Sequence, residues 1–462
     1  MLDALSGRRL RSAVPITLVN AGKLDAWTAR QPEWVGEWLT TNGFAASPGT
    51  YCLVPDTTGA LARVVVGIDH PAGLWDLSAL PAQLPAGHYA LDVRLSSDRL
   101  ELVVLGWALG AYRFARYKRT TEEDESRAVL EWPVKCDRKA VERAALATGL
   151  VRDLATTPAS DLGPAELAAA AKTVAKKFKA ECTVIVGDNL LKQNYPLIHA
   201  VGRASERAPR LIDLRWGSSR APKLSIVGKG VCFDTGGLDL KPSSNMLLMK
   251  KDMCGGAHAL ALAQMIMSAR LKVQLRVLIP AVENSVSSDA YRPSDVLMSR
   301  AGLTVEVGNT DAEGRLVMAD ALAELDDGDP DLLIDFSTLT GAQRVACGYD
   351  LPSYFTNDER ISAALMKASD RVADPMWRLP LFEPYRSQLD SPIADINSTG
   401  KVPMGGAILA ALFLRAFIDR DRLWIHTDFM GWNTASRPGR PLGGEAQGLR
   451  AMFAMLAVRY GK

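Results

Sequence analysis

Three short segments of this 462-residue chain carry side chains that could perform metal-assisted hydrolysis. The first, GKGVCFDTGGLDLKP (228–242), follows an apolar strand-like run and presents Lys229, Asp234 and Lys241. Its glycines permit tight backbone turns. The second, MKKDMCGGA (249–257), presents Asp252 just before a helix start. The third, NTDAEGRL (309–316), presents Asp311 and Glu313 two residues apart, with Arg315 beside them. In extended chain, residues two apart project to the same side. Each segment alone has a plainer reading: surface lysines after a strand, an Asp252 that stabilises a helix start, an ion pair made by Arg315. Together they supply three Asp and one Glu on loops bordering strands. Hard oxygen donors suit divalent metals. Four carboxylates suffice for two metals with some bridging, and two metals about 3.5–4 Å apart can hold a hydroxide and polarise a carbonyl. The lysines and arginine nearby could stabilise an oxyanion or hold a small anion.

Other routes to hydrolysis are poorly served. Only five histidines occur (His70, His88, His199, His258 and His426), with no HExxH and no two within one helical turn. That excludes a zincin-type site. His258, on an alanine- and leucine-rich helical stretch, and His426, in an apolar strand-like run, read as packed structural residues. Residues 430–433 after that run are expected to help form a pocket wall. Six cysteines without a CxxC read as reduced thiols. The phosphate-loop pattern GxxxxGK[ST] is absent. With 54 basic and 52 acidic side chains, no electrostatic reason exists to expect nucleic acid or an anionic membrane as partner. The sequence lacks an 18-residue apolar run and a secretory leader pattern, so a cytoplasmic protein without a membrane partner is expected.

The elements that must position these residues follow from the apolar pattern. A chain of this length holds two or three domains at roughly 100–200 residues each. Residues 1–135 contain six of the ten tryptophans. Strand-like runs at 61–67 and 100–106, with helical stretches at 24–42 and 106–118, predict a small N-terminal α/β domain. The charged run 118–127 reads as a solvated loop. A helical pattern from 137 to about 155 predicts a connecting helix over 136–150. From 151 to 462, strand signals (183–186, 211–214, 223–227, 274–279, 332–335) alternate with helical ones (164–181, 255–269, 314–325, 406–417). The prediction is an α/β protein of two domains. The larger, C-terminal catalytic α/β domain has a mixed central sheet flanked by helices. Ligands bind such sheets at the carboxyl ends of strands, where Lys229 stands.

In order and spacing, these three strings and TLTGA (338–342) resemble the leucyl (cytosol) aminopeptidase family, NTDAEGRL being highly specific. Agreement also covers LVRDLATTPASDLGP (150–164), 291–293 and 394–397. It spans 150–462; residues 1–135 agree with the family's N-terminal domain only in position and size. The resemblance implies a metalloaminopeptidase that removes N-terminal, large apolar residues from peptides with a free N-terminus. Each subunit would hold two divalent ions, zinc or manganese, with magnesium or cobalt as alternatives, together with a bicarbonate. Asp234 and Glu313 would bridge the metals, Asp311 would complete one site, and Lys229 and Asp252 the other. Lys241 would polarise the carbonyl and stabilise the gem-diolate. Arg315 would hold bicarbonate as general base toward a hydroxide shared by the metals. Met249, Asn309, Thr338, Leu339 and Gly341 would bind substrate. Thr235 and Asp239 fall where the family varies. The resemblance further implies a homohexamer. Two rivals stand beside it: a two-metal phosphoesterase, and a DNA-binding or scaffold role alongside peptidase activity. Lys229 and the lack of histidine ligands oppose the first.

Overall fold

A computed structural model describes residues 1–69, 71–119 and 127–461. His70 and most of the charged run 118–127 lie outside the described residues. The chain divides into two compact units, Met1–Gly149 with Ala435–Leu442, and Leu150–Thr434 with Gly443–Lys462. The helix Arg138–Thr156 carries the chain from the first to the second.

The first unit is built on a six-stranded sheet. Its strands pair in parallel except at one edge, where Tyr51–Pro55 runs antiparallel to Leu61–Gly67. Two expectations change here. The run 100–106 is not a strand but the middle of the helix Ser97–Gly110. A short continuous apolar run fits a buried strand or a buried helix equally well, and this helix is buried from Leu102 to Leu109. The stretch 24–42 forms two helices, Leu24–Thr28 and Glu33–Thr41, separated at Pro32. Proline lacks the N–H that a continuing helix needs and disfavours helical geometry in the residue before it.

The second unit centres on four parallel strands in the order Trp424–Asp428, Leu332–Ser337, Lys223–Gly228, Gln274–Asn284. Antiparallel strands Ser353–Thr356 and Arg210–Gly217 flank this core. The two strands Leu332–Ser337 and Trp424–Asp428 are buried at every position. This is the continuous pattern of a strand covered on both faces. The helices Cys254–Ala269 and Glu313–Asp326 pack on the sheet. One strand was not expected. After Lys229 the glycine-rich segment re-enters the sheet as Gly230–Asp234, parallel to the far half of Gln274–Asn284. The chain therefore bends at Lys229 and delivers Asp234 opposite Asn284.

Both described core histidines of this unit are structural. His426 is fully buried, with Nδ1 2.6 Å from Asp335. Burial works against its charged form, but the Asp335 carboxylate outweighs it and raises the pKa. His258 is fully buried on the helix Cys254–Ala269. Its Nδ1 lies 2.7 Å from the Cys254 carbonyl, which can only accept, so Nδ1 carries the proton. Its Nε2 accepts the Gln447 backbone N–H at 3.0 Å. A second proton on Nε2 would face that donor. Burial pushes the pKa down to about 4. A lowered folded-state value means that stability is complete above the unfolded pKa near 6.5 and is lost as pH falls toward about 4. The expected loss across that window approaches about 3 kcal/mol. Urea unfolding at pH 7 and pH 4.5 should show a steeper loss for the parent than for His258→Gln; parallel pH dependence would refute the assignment.

Candidate active site

A cavity of about 580 Å³ opens at the carboxyl ends of the parallel strands. The bend after Lys223–Gly228 places Lys229 there, its backbone N–H donating to the Phe336 carbonyl at 2.9 Å. Asp234 ends the next strand. Asp252 lies in the 3-10 turn Met249–Met253, immediately before the buried helix. Its carboxylate makes no cap to that helix; Oδ1 accepts the Thr338 hydroxyl at 2.7 Å. Asp311 sits in the 3-10 turn Thr310–Ala312 and Glu313 opens the helix Glu313–Asp326. The segment is therefore helical rather than extended, and both carboxylates line the cavity. Glu313 turns to Lys229 and Asp311 to Lys241.

Two ammonium groups organise the acids. Lys229 Nζ lies 2.6 Å from Asp252 and 2.8 Å from Glu313. Lys241 Nζ lies 2.8 Å from Asp234 and pairs with Asp311. Oxygens of Asp234, Asp252 and Glu313 all lie within 4.8 Å of one another. Asp311 is outside that triad and joins it through Lys241. Burial and the neighbouring Asp234 push Asp311 up to about 6 and Glu313 well above the usual carboxylate range. Burial alone would lower the pKa of Lys229, but Asp252, Glu313 and Asp234 prevail and raise it. Four carboxylates against two ammonium groups leave negative charge in a site whose burial disfavours it. Glu313 Oε2 is buried and accepts no hydrogen bond among the described residues. The donor set thus fits hard divalent cations in both charge and type.

Arg315 is buried beside this cluster, and burial pushes it down to about 10. Its Nη1 donates to the Ser398 carbonyl at 2.5 Å, while Nε has no acceptor among the described residues. A buried guanidinium without a carboxylate partner fits a small anion. Met249, Asn309, Thr338, Leu339 and Gly341 all line the same cavity. Asn309 Oδ1 accepts the Asp311 N–H at 2.7 Å, and the Leu339 N–H donates to Asp428 at 2.8 Å. From the expected wall at 430–433, Met430 lines the cavity; Trp432 and Asn433 belong instead to a short buried strand.

The chain matches the model of the cytosol aminopeptidase family, catalytic domain, over residues 149–453, and of the M17 aminopeptidase N-terminal domain over residues 14–131. The chain belongs to the cytosol aminopeptidase family. It is accordingly a metal-dependent aminopeptidase, an exopeptidase of the hydrolase class. It is 39% identical to a probable cytosol aminopeptidase of Roseiflexus castenholzii over 368 residues, covering 76% of this chain and 75% of the relative. Its fold is similar to the crystal structure of the cytosol aminopeptidase from Coxiella burnetii, with a TM-score of 0.96 and 47% identity over 99% of this chain and 100% of that one. It is also similar to the bottromycin maturation enzyme BotP in complex with Mn, with a TM-score of 0.86 and 30% identity over 97% and 99% of the two chains. The family's two-domain architecture of mixed α/β sheets and helices is the fold expected from the sequence.

Several positioning residues escaped the sequence reading. Asn284 donates to Asp234 at 2.8 Å and to the Thr310 carbonyl at 3.0 Å, and the Tyr291 hydroxyl donates to that carbonyl at 2.6 Å. Asp239, at a position where the family varies, accepts the Thr310 N–H at 2.7 Å. Thr235, at another such position, donates to the Asn284 carbonyl at 2.8 Å. Asp428 receives the N–H groups of both Leu339 and Thr340. Asn284 and Asp428 end strands far along the chain from the residues they hold, while Thr235, Asp239 and Tyr291 lie on loops, and no local spacing marks their roles. Lys251 also lines the cavity, and its one sequence signal was the doubled lysine before Asp252.

Two glycines decide how closely the elements approach. A Cβ on Gly255 would stand 2.1 Å from the Phe336 carbonyl oxygen and 2.8 Å from Lys229 N. Only glycine lets this helix start against the strand ends and bring Asp252 to Lys229. A Cβ on Gly314 would stand 2.5 Å from Lys229 Cε and 2.7 Å from its Nζ. Helix propensity alone would make Gly314→Ala stabilising by about 0.5–1 kcal/mol. The packing predicts the reverse: a displaced Lys229, a lower melting temperature and metal affinity about tenfold weaker or worse. Calorimetry and metal analysis of the purified variant check both; a stabilised variant with full metal would refute the packing account.

Proposed function

We propose that this cavity removes residues from the free N-terminus of peptides, using two divalent ions held by Lys229, Asp234, Asp252, Asp311 and Glu313. The observation that supports this most directly is the pairing of four carboxylates with two lysines beside an arginine that has no acidic partner. Asp234 and Glu313 would be shared by both ions, Lys229 and Asp252 would complete one set, and Asp311 the other. When bound, the ions would polarise the peptide carbonyl and make a water acidic enough to attack at neutral pH. The chain's own side chains supply the rest. Lys241, largely buried yet lining the cavity, would donate to the carbonyl oxygen as negative charge builds there. Arg315 would hold bicarbonate, whose role is to accept a proton where no histidine is present. The α-amine of the substrate, a hard donor, would be drawn to the carboxylate end of the cavity, which restricts cleavage to the first residue. Met249, Leu339, Phe429 and Met430 give the cavity an apolar surface able to take a large apolar first residue. Zinc and manganese both suit oxygen donors with one amine. Assembly as a homohexamer and a cytoplasmic setting are carried over from the family in the same way. No described helix is long and apolar enough to cross a membrane.

Two measurements test this reading. Purified protein given manganese or zinc should release the first residue of an unblocked peptide and leave its N-acetylated form intact; a chelator should abolish release. Glu313→Gln should lose about a hundredfold or more in kcat/KM through lost metal, and Lys241→Met a similar factor in kcat with metal retained. Equal cleavage of blocked and free peptides, or hydrolysis of p-nitrophenyl phosphate in preference to both, would overturn the proposal. A second expectation concerns protons. Without metal, Lys229 is held protonated by its three acidic neighbours, and a ligating amine must be neutral. Metal loading at pH 7 should therefore release protons into weakly buffered solution, and Lys229→Met should release fewer; equal release would remove Lys229 from the ligand set.

A further inference from the structure

The cavity carries two cations that the chemistry above does not use. Four carboxylates and five cationic side chains line it. Lys229 and Lys241 face the carboxylates, and Arg315 donates to Ser398. Lys251 and Arg344 remain. Lys251 is only 3% exposed, yet among the described residues its ammonium has no hydrogen-bond or ion-pair partner. An unpaired buried ammonium is costly. Arg344, half-buried on the helix Gly341–Cys347, forms no ion pair among the described residues. Its Nη1 reaches only the Met430 thioether at 3.7 Å, a weak acceptor. Its Nη2 lies 3.2 Å from where a Cβ on Gly341 would stand, so the guanidinium lies against the cavity-lining turn. Both side chains line the same cavity.

We propose that Lys251 and Arg344 bind a carboxylate of the substrate, either the side chain of an N-terminal Asp or Glu or the free carboxyl end of a dipeptide. The proposal rests on the aminopeptidase reading and adds the charge of the preferred substrate. The amine end of such a substrate meets the acidic cluster, and its carboxylate meets the cationic wall. The guanidinium fork matches a carboxylate in geometry, and the ammonium adds a second donor. The aliphatic stem of Glu lies along the same Met249 and Met430 surface that takes apolar residues, so acidic preference is read against an uncharged isostere and not against Leu.

The test compares pairs that differ only in charge on the metal-loaded full-length protein: Glu- against Gln-p-nitroanilide, and Leu-Ala against Leu-alaninamide. The expected result is a preference of about tenfold or more in kcat/KM for the charged member of at least one pair, the size that charge-assisted hydrogen bonds supply. A preference in the first pair assigns the wall to the N-terminal side chain, and in the second to the peptide's carboxyl end. In Lys251→Met and Arg344→Met the preference should fall toward one, mostly through KM. Arg344→Met keeps the test open if Lys251→Met does not fold. Ratios near one in the parent with Leu-p-nitroanilide still cleaved, or ratios unchanged in both variants, would overturn the inference while leaving the aminopeptidase reading intact. Absence of all cleavage would count against that reading instead. Equilibrium dialysis with labelled L-glutamate and L-glutamine then reads the wall directly, with the same ratio expected and equal binding refuting it.

Discussion

Four carboxylates brought together at the ends of parallel strands repel one another, and the rest of the catalytic unit is arranged around supplying the positive charge they need. Asp234, Asp252 and Glu313 are almost wholly buried. Water cannot screen them there, so bound cations must. Lys229 and Lys241 supply two charges from within the chain, each ammonium set between two acids. The remaining deficit shows as carboxyl groups pushed above the ordinary carboxylate range and as an oxygen of Glu313 with no hydrogen-bond partner among the described residues. A site left in that condition is prepared for divalent ions, and the family to which the chain belongs is metal-dependent.

Such a cluster holds its geometry only if the backbone beneath it is rigid. The strand ends provide that rigidity, and an outer layer of hydrogen bonds fixes the acids on them. Asn284 and the Gly236 N–H both bond Asp234 Oδ1, and Thr338 holds Asp252. Asp428 anchors the turn at Leu339 and Thr340, using two backbone N–H groups and the Thr340 hydroxyl. The neutral His258 ties the helix Cys254–Ala269 to the loop at Gln447, so a residue with no part in the chemistry helps hold the element that follows Asp252. The shortage of histidines in the chain thus takes on a different meaning: in this unit the buried ones are spent on architecture, while carboxylates and lysines are spent on the site.

The cavity also carries charges of both signs. The four acids with their two lysines line it together with Lys251 and Arg344. A free peptide is itself a dipole, positive at its amine and negative at its carboxylates, and under the proposed reading these charges would orient it in the cavity.

Much of this was legible in the chain itself. The three segments around Lys229, Asp252 and Asp311 show in their residue types the donors that a metal site would use, because metal binding depends on donor atoms that sequence states outright. The alternation of strands and helices from 151 onward likewise announced a sheet covered on both faces, since apolar periodicity is a local property. Tertiary structure decided the rest. Whether 100–106 is strand or helix depended on what buries it, because a short apolar run serves either. That Asp311 and Glu313 turn to different lysines followed from a helix beginning between them, which two-residue spacing cannot show. The partners of Asp234, the approach permitted by Gly255 and Gly314, and the unpaired state of Lys251 all arise between segments far apart in the chain. Sequence names the charges; only the fold sets the distances between them, and electrostatic energy depends on both.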